Sequence, residues 1–182
     1  LSIAKILHIN DCVGIFYTNT GPLRDRANNT EIVKFYERIK YFKNTNSLST
    51  EELRKIHSEY GQVIAGHTTF HHNLNKIPFS QAKKEILDNK NDLEDIIGEK
   101  IIHFSYPFGM RKYFNENLRV YCKNIGYETI SNAIPGLLYK KYDKFDINRT
   151  MWDFNKSFKK NIENIKINGM FFEKMTGKSP IG

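Results

Sequence analysis

The sequence predicts an α/β domain, on two observations. Short apolar runs alternate with amphipathic stretches along the 182 residues, and turn or capping residues punctuate the alternation. No apolar run approaches the roughly 18 residues that a membrane span needs, so no transmembrane segment is expected. At 40% hydrophobic and 26% charged, the composition is that of an ordinary globular protein with material for one substantial core. Without repeats or a linker, a single domain over 1–182 is the expected organisation.

Ser2 to Ile9 reads as the tail of a helix. Val13 to Tyr17 follows as a buried strand, closed by the turn residues Thr20, Gly21 and Pro22. Thr30 is the expected N-cap of a helix to about Tyr41, with Ile32, Val33, Phe35, Tyr36 and Ile39 as its apolar face. Ser49 and Glu52 have the capping-box spacing, in which hydroxyl and carboxylate satisfy each other's free backbone donors. Leu53, Ile56 and Tyr60 continue that helix to Gly61.

Gln62 to Gly66 is a strand that runs into His67. Ser80 is the expected cap of a longer helix through Ile86, Leu93 and Ile97, stopped by Gly98. Lys100 to Tyr106 is the next strand, a helix runs from Asn115 to Gly126, and Tyr127 to Ser131 is the last clear strand. Beyond Asn155 the chain is rich in Lys and Asn and carries no clear periodicity, although Ile165-Lys166-Ile167 has strand character.

The net charge is +8 and the pI near 9.3. Such a charge suits an anionic partner, but Lys recurs throughout the chain and no interleaving of basic and aromatic residues marks a nucleic-acid module. The charge is therefore read as compositional bias, and no nucleic-acid partner is expected. Cys12 and Cys122, far apart and without metal-ligand spacing, are expected as two buried thiols rather than a bridge.

The chemistry concentrates in Gly66-His67-Thr68-Thr69-Phe70-His71-His72-Asn73-Leu74. His67 and His71 are four apart, so in a helical turn they share a face and present two imidazoles to one metal ion. A strand delivers them, and strand ends are where α/β folds assemble sites. His72 is an alternative ligand to His71, or faces solvent. His8, His57 and His103 have no partner spacing and are expected to be structural or exposed.

From Ser49 to Arg149 the chain resembles the polysaccharide deacetylase family, carbohydrate esterase family four. The resemblance rests on four blocks in order: His67-Thr68-Thr69-Phe70-His71, the helix from Ala82 to Gly98, Phe104-Ser105-Tyr106-Pro107-Phe108-Gly109, and Gly126-Tyr127-Glu128 with Asp146-Ile147-Asn148-Arg149. It implies a distorted (β/α) barrel, incomplete at the N-terminus, because the chain opens with Leu1 in mid-element. Ile6 to Thr20 would be the family's second strand with the end of the helix before it.

The resemblance further implies a metal-dependent hydrolase that removes N-acetyl groups from the amino sugars of a polysaccharide. A divalent metal, usually zinc, would sit on His67 and His71, with Thr68 orienting their loop. Tyr106, Pro107 and Phe108 would form the groove wall, the Phe108 N–H would serve as oxyanion donor, and Trp152 would line the sugar groove. Arg149 would pair with the catalytic carboxylate. Members of the family often work at the cell envelope or outside it.

Two family elements have no counterpart here. The first-strand Thr-Phe-Asp-Asp, which supplies the base and third metal ligand, is absent; Asp11, Asp25, Asp143, Asp146 and Asp153 lie outside any such motif. The Leu-x-Ile-x-x-His element that supplies the general acid is also missing, and Ser105 stands where many relatives have arginine. A truncated portion of an enzyme is the expected explanation. A catalytically inactive carbohydrate-binding relative and an amidohydrolase for a small C–N substrate are the alternatives.

Overall fold

A computed structural model of the chain describes residues 1–40, 47–136 and 142–165. Four parallel strands form one sheet in the order β1 (Ile15–Thr18), β2 (Val63–Gly66), β3 (His103–Ser105) and β4 (Thr129–Ser131). Parallel neighbours require crossover connections. Helices α2 (Asn29–Arg38) and α3 (Thr50–Ser58) make the first, α4 (Phe79–Ile97) the second and α5 (Glu116–Asn124) the third, while α1 (Ser2–Ile9) precedes β1. All four strands therefore end at the same edge of the sheet, and the loops leaving that edge carry Asn19, His67, Tyr106 and Asn132. Past β4 the chain returns to the sheet, and a parallel bridge joins Ser131 to Ile147.

The core lies where α3, α4 and α5 pack on the sheet. Leu53, Ile56, Ile86, Leu93, Leu118, Phe104 and Ile130 are fully buried there. Burying one such side chain contributes roughly 1.5–3 kcal/mol. No helix among the described residues is long and apolar enough to cross a membrane.

Several boundaries differ from expectation, each for a local reason. Asn28, not Thr30, caps α2, because its side chain accepts Glu31 N–H while the Glu31 carboxylate takes the Asn28 N–H. The helix ends at Arg38, and Tyr41 lies outside the described residues. Pro78 rather than Ser80 stands before α4, its carbonyl accepting Ala82 N–H at 2.9 Å. Strand β3 is shorter than Lys100–Tyr106 because side chains take Ile101 out of the ladder: Glu94 accepts its N–H and the Lys90 ammonium donates to its carbonyl. Residues 158–165 are helical, and Lys166 and Ile167 lie outside the described residues.

The Ser49–Glu52 capping box and the left-handed Gly98 cap stand as expected. Both cysteines are free thiols; Cys122 is buried, but Cys12 is exposed in the turn between α1 and β1. His57 and His103 hold structural bonds, to the Gln62 carbonyl and the Thr129 hydroxyl.

Candidate active site

His67 leaves the end of β2 with both main-chain groups tied. Its N–H donates to Asn89 Oδ1 at 2.9 Å, and Asn19 Nδ2 donates to its carbonyl at 2.5 Å. Its ring Nδ1 lies 2.5 Å from the Ser105 carbonyl at the end of β3. A carbonyl only accepts, so Nδ1 carries the hydrogen and Nε2 carries the lone pair, the arrangement typical of a metal-ligating histidine. Burial first, then the neighbouring His71 and the Arg149 cation, push the pKa of His67 down to about 3 against the Ser105 bond. The ring is neutral at physiological pH.

His71 comes beside it by a different route from the expected one. Residues 67–73 are not helical, and the i,i+4 face argument does not apply. Instead Thr68 (φ +67°) and His71 (φ +58°) adopt left-handed backbone, which folds the loop back on itself. Left-handed backbone costs a residue with a Cβ about 1–2 kcal/mol, and β-branched Thr68 adopts it rarely. A local bond offsets part of that cost: His71 N–H donates to the buried Thr68 hydroxyl at 3.0 Å.

The two rings lie 4.9 Å apart between centroids at 68°. Two imidazoles bound to one tetrahedral ion at ~2.0–2.1 Å place their centroids about 5 Å apart. His71 Nδ1 is buried without any hydrogen-bond partner. Burial pushes the His71 pKa down as well. Two neutral imidazoles, one with an orphaned buried nitrogen, fit a shared metal ion. Among the described residues no third His, Cys, Asp or Glu joins them. His72 turns from the pair toward α4, where its Nδ1 is held at 2.9 Å by the Glu85 carboxylate, and its side chain stays partly exposed.

The next loop supplies the wall. Tyr106 is buried and stacks on Phe114 at 4.5 Å, and Pro107 is buried beside it. Desolvation, reinforced by Asp146, raises the Tyr106 pKa to about 12. Phe108 is the exposed member of the three, with its ring 4.9 Å from that of His71. Its backbone is left-handed, as is that of Gly109, where a Cβ would meet Ala133 at 2.3 Å.

Arg149 belongs to the same edge rather than to the surface. Its Nε donates to the Asn132 carbonyl at 2.6 Å and its Nη2 to Ser105 Oγ at 2.7 Å. The guanidinium lies 4.8 Å over Tyr17, whose ring is 6.4 Å from His67 and whose hydroxyl bonds Ser131 Oγ at 2.8 Å. Burial lowers the Arg149 pKa. No carboxylate among the described residues pairs with it.

The model of the polysaccharide deacetylase family matches residues 2–130. The chain belongs to the polysaccharide deacetylase family. Solved structures agree on the fold. The deacetylase PplD of Streptococcus pyogenes, described in complex with acetate, is 16% identical with a TM-score of 0.68 over 90% of this chain and 62% of that one. A polysaccharide deacetylase from Bacillus cereus is 18% identical with a TM-score of 0.59 over 90% of this chain and 60% of that one. A de-N-acetylase from Aggregatibacter actinomycetemcomitans is 16% identical with a TM-score of 0.62 over 90% of this chain and 68% of that one. The chain thus spans about three-fifths of the length of the first two. No curated protein matches the sequence. The fold is the (β/α) barrel type of these deacetylases, represented among the described residues by four strands.

The remaining candidates of this family member have other partners. Asp25 accepts from Thr50, Asp146 from Arg111 and Asn132, Asp143 from Arg119, and Asp153 from Lys156; Asp11 is exposed after α1. Trp152 packs 5.4 Å from Phe158 and lines a pocket of about 510 Å³ with Pro135, Met151 and Asn161, not with the histidines. Tyr17, Asn19 and Asn89 were not apparent from the sequence as members of the site. Nothing in a lone Asn inside an amphipathic helix marks it as a bridge between two strand ends.

Proposed function

We propose that the chain is the histidine-bearing part of a metal-dependent hydrolase, zinc being the preferred metal, that removes N-acetyl groups from the amino sugars of a polysaccharide. The observation that carries this reading is the His67–His71 pair, two neutral rings at the spacing of a shared ion. Membership of the deacetylase family and the likeness in fold to a de-N-acetylase support the reaction class.

A divalent cation held there would polarise the substrate carbonyl and lower the pKa of a bound water toward roughly 7. His67 would ligate through Nε2, because the Ser105 carbonyl occupies Nδ1. Thr68 holds His71 in place through the His71 N–H. The Phe108 N–H, which has no acceptor among the described residues, would donate to the developing oxyanion beside His71. Arg149 has donors beyond its two bonds and would steady a carboxylate that takes the water's proton. Phe108 would contribute the exposed wall of the sugar groove over the buried Tyr106 and Pro107, and Trp152 a separate aromatic surface.

A second reading, a carbohydrate-binding relative without catalysis, is favoured by the engagement of Asp25, Asp143, Asp146 and Asp153 elsewhere. Elemental analysis after dialysis against zinc separates the two. The deacetylase reading expects about one zinc per chain, lost in His67→Ala and His71→Ala and retained in His72→Ala. A chain that retains no metal and releases no acetate from N-acetylated oligosaccharides favours the second reading.

A further inference from the structure

The turn that delivers His71 is gripped from two helices by opposite charges. The peptide plane between Phe70 and His71 defines the φ of His71, and both of its polar groups are bonded. The Arg38 guanidinium of α2 donates to the Phe70 carbonyl at 2.5 Å, and the His71 N–H goes to Thr68. The preceding plane is held in the same way. Glu85 Oε2 of α4 accepts the Phe70 N–H at 2.9 Å, and the Gly21 N–H donates to the Thr69 carbonyl at 2.9 Å.

Glu85 makes three further ties. Its other oxygen takes His72 Nδ1 at 2.9 Å, and its own carbonyl accepts both the Thr69 N–H and the Thr69 hydroxyl. The carboxylate is itself buried, so its bonds are little weakened by competing water. The Phe70 ring fills the space at Gly21, where a Cβ would come within 2.4 Å of it. The Arg38, Glu85 Oε2 and Gly21 bonds all fall on the backbone that carries His71.

We propose that Glu85 and Arg38 are positioning residues, closing on Phe70 from either side to hold His71 in the left-handed conformation that turns its ring toward His67. The proposal deepens the metal-site reading and rests on it for its consequence, though not for its geometry. A loop with two left-handed residues other than glycine would relax toward ordinary backbone once either grip is removed. The imidazole would then leave its partner without any change to a ligand.

Two readouts on the 182-residue chain test this. In metal-free protein, residue-resolved amide exchange reads the loop. Titration with cobalt(II), whose visible absorption reports ligand geometry, reads the site. Glu85→Ala and Arg38→Ala are expected to speed exchange at Phe70 and His71 about tenfold or more while amides of β2 and α4 exchange as in the parent. Cobalt affinity is expected to fall about 10–100-fold, the usual loss when an outer-shell partner goes. Glu85→Gln, which keeps an acceptor for the Phe70 N–H, and Arg38→Lys are expected to recover most of both.

Parent-like exchange at 69–72 in both alanine variants would overturn the proposal. So would faster exchange throughout the domain, which would make these residues supports of the fold and not of the loop. If the parent takes up no cobalt, the metal-site reading fails, while the exchange arm still decides the positioning role.

Discussion

Asn89, fully buried on α4, accepts the main-chain N–H of His67 at 2.9 Å and so ties a helix to the first residue beyond β2. The same amide donates to the Thr18 carbonyl at 3.0 Å and the Thr20 hydroxyl at 3.2 Å, so one side chain joins the ends of β1 and β2. Replacing it strands the part-buried His67 N–H and Thr18 carbonyl and the buried Thr20 hydroxyl, and a buried polar group left unpaired costs about 1–3 kcal/mol. Asn89→Leu is therefore expected to destabilise by roughly 2–4 kcal/mol despite added apolar bulk. The measurement is the urea midpoint at constant slope; an unchanged midpoint would show that water reaches these groups.

Gly66 and Tyr127 form a second coupled pair. A Cβ at Gly66 would lie 2.4 Å from Tyr127 Oη, and that hydroxyl is buried without a partner. Tyr127→Phe removes an unsatisfied polar atom, so it is expected to be neutral or to raise Tm. Gly66→Ala is expected to cost about 1–3 kcal/mol by overpacking. The double variant should cost less than the two singles summed, because the clashing oxygen is gone. Additive effects in thermal unfolding would place the strain elsewhere.

A pH limb follows from Lys90 and Glu94. Desolvation opposes ionisation of Glu94, but the Lys90 ammonium at 2.6 Å and the Ile101 N–H at 2.9 Å still hold its carboxyl below the ordinary value of 4.5. A carboxyl depressed in the folded state contributes stability that is present above the unfolded pKa and is lost as pH falls through the folded one. Glu94→Gln should thus be destabilised at pH 7, by roughly 1.5–3 kcal/mol for a charged hydrogen bond, with the gap from the parent narrowing below about pH 4.5. Urea unfolding at pH 7, 5 and 3.5 reads this directly; a gap constant with pH would remove Glu94 from the acid limb.

How much of this was legible depended on whether the deciding partner was near in sequence. The Ser49–Glu52 box could be read because hydroxyl and carboxylate are three residues apart. Asn28 and Glu31 offer the same spacing and form the same reciprocal box, two residues ahead of Thr30. By contrast, β3 is trimmed by Lys90 and Glu94, a helix away from Ile101.

The histidine pair was found through spacing, yet its proximity comes from positive φ at Thr68 and His71, not from a helical face. Local preference argues against left-handed backbone at a threonine. What overrides it here is tertiary: Asn19, Arg38, Asn89 and Glu85 converging from four separate positions. Family resemblance located the site because the motif carries that tertiary outcome within it.

The two thiols give the last prediction, because their environments are opposite. Cys122 is fully buried on the inner face of α5, where desolvation alone pushes its pKa far up. Thiolate is the reacting species, so a thiol both buried and protonated is inert until the fold opens. Cys12 is exposed beyond α1, and its Sγ lies 3.3 Å from the Asn10 carbonyl, a weak bond that leaves the sulfur accessible. Titration with a chromogenic disulfide at pH 8 should therefore modify Cys12 rapidly and Cys122 only at the rate of opening. Cys12→Ser should abolish the fast phase, and guanidinium should merge the two. A fast phase that survives Cys12→Ser would mean that α5 detaches from the sheet in the native state, and the core position of Cys122 would then have to be given up.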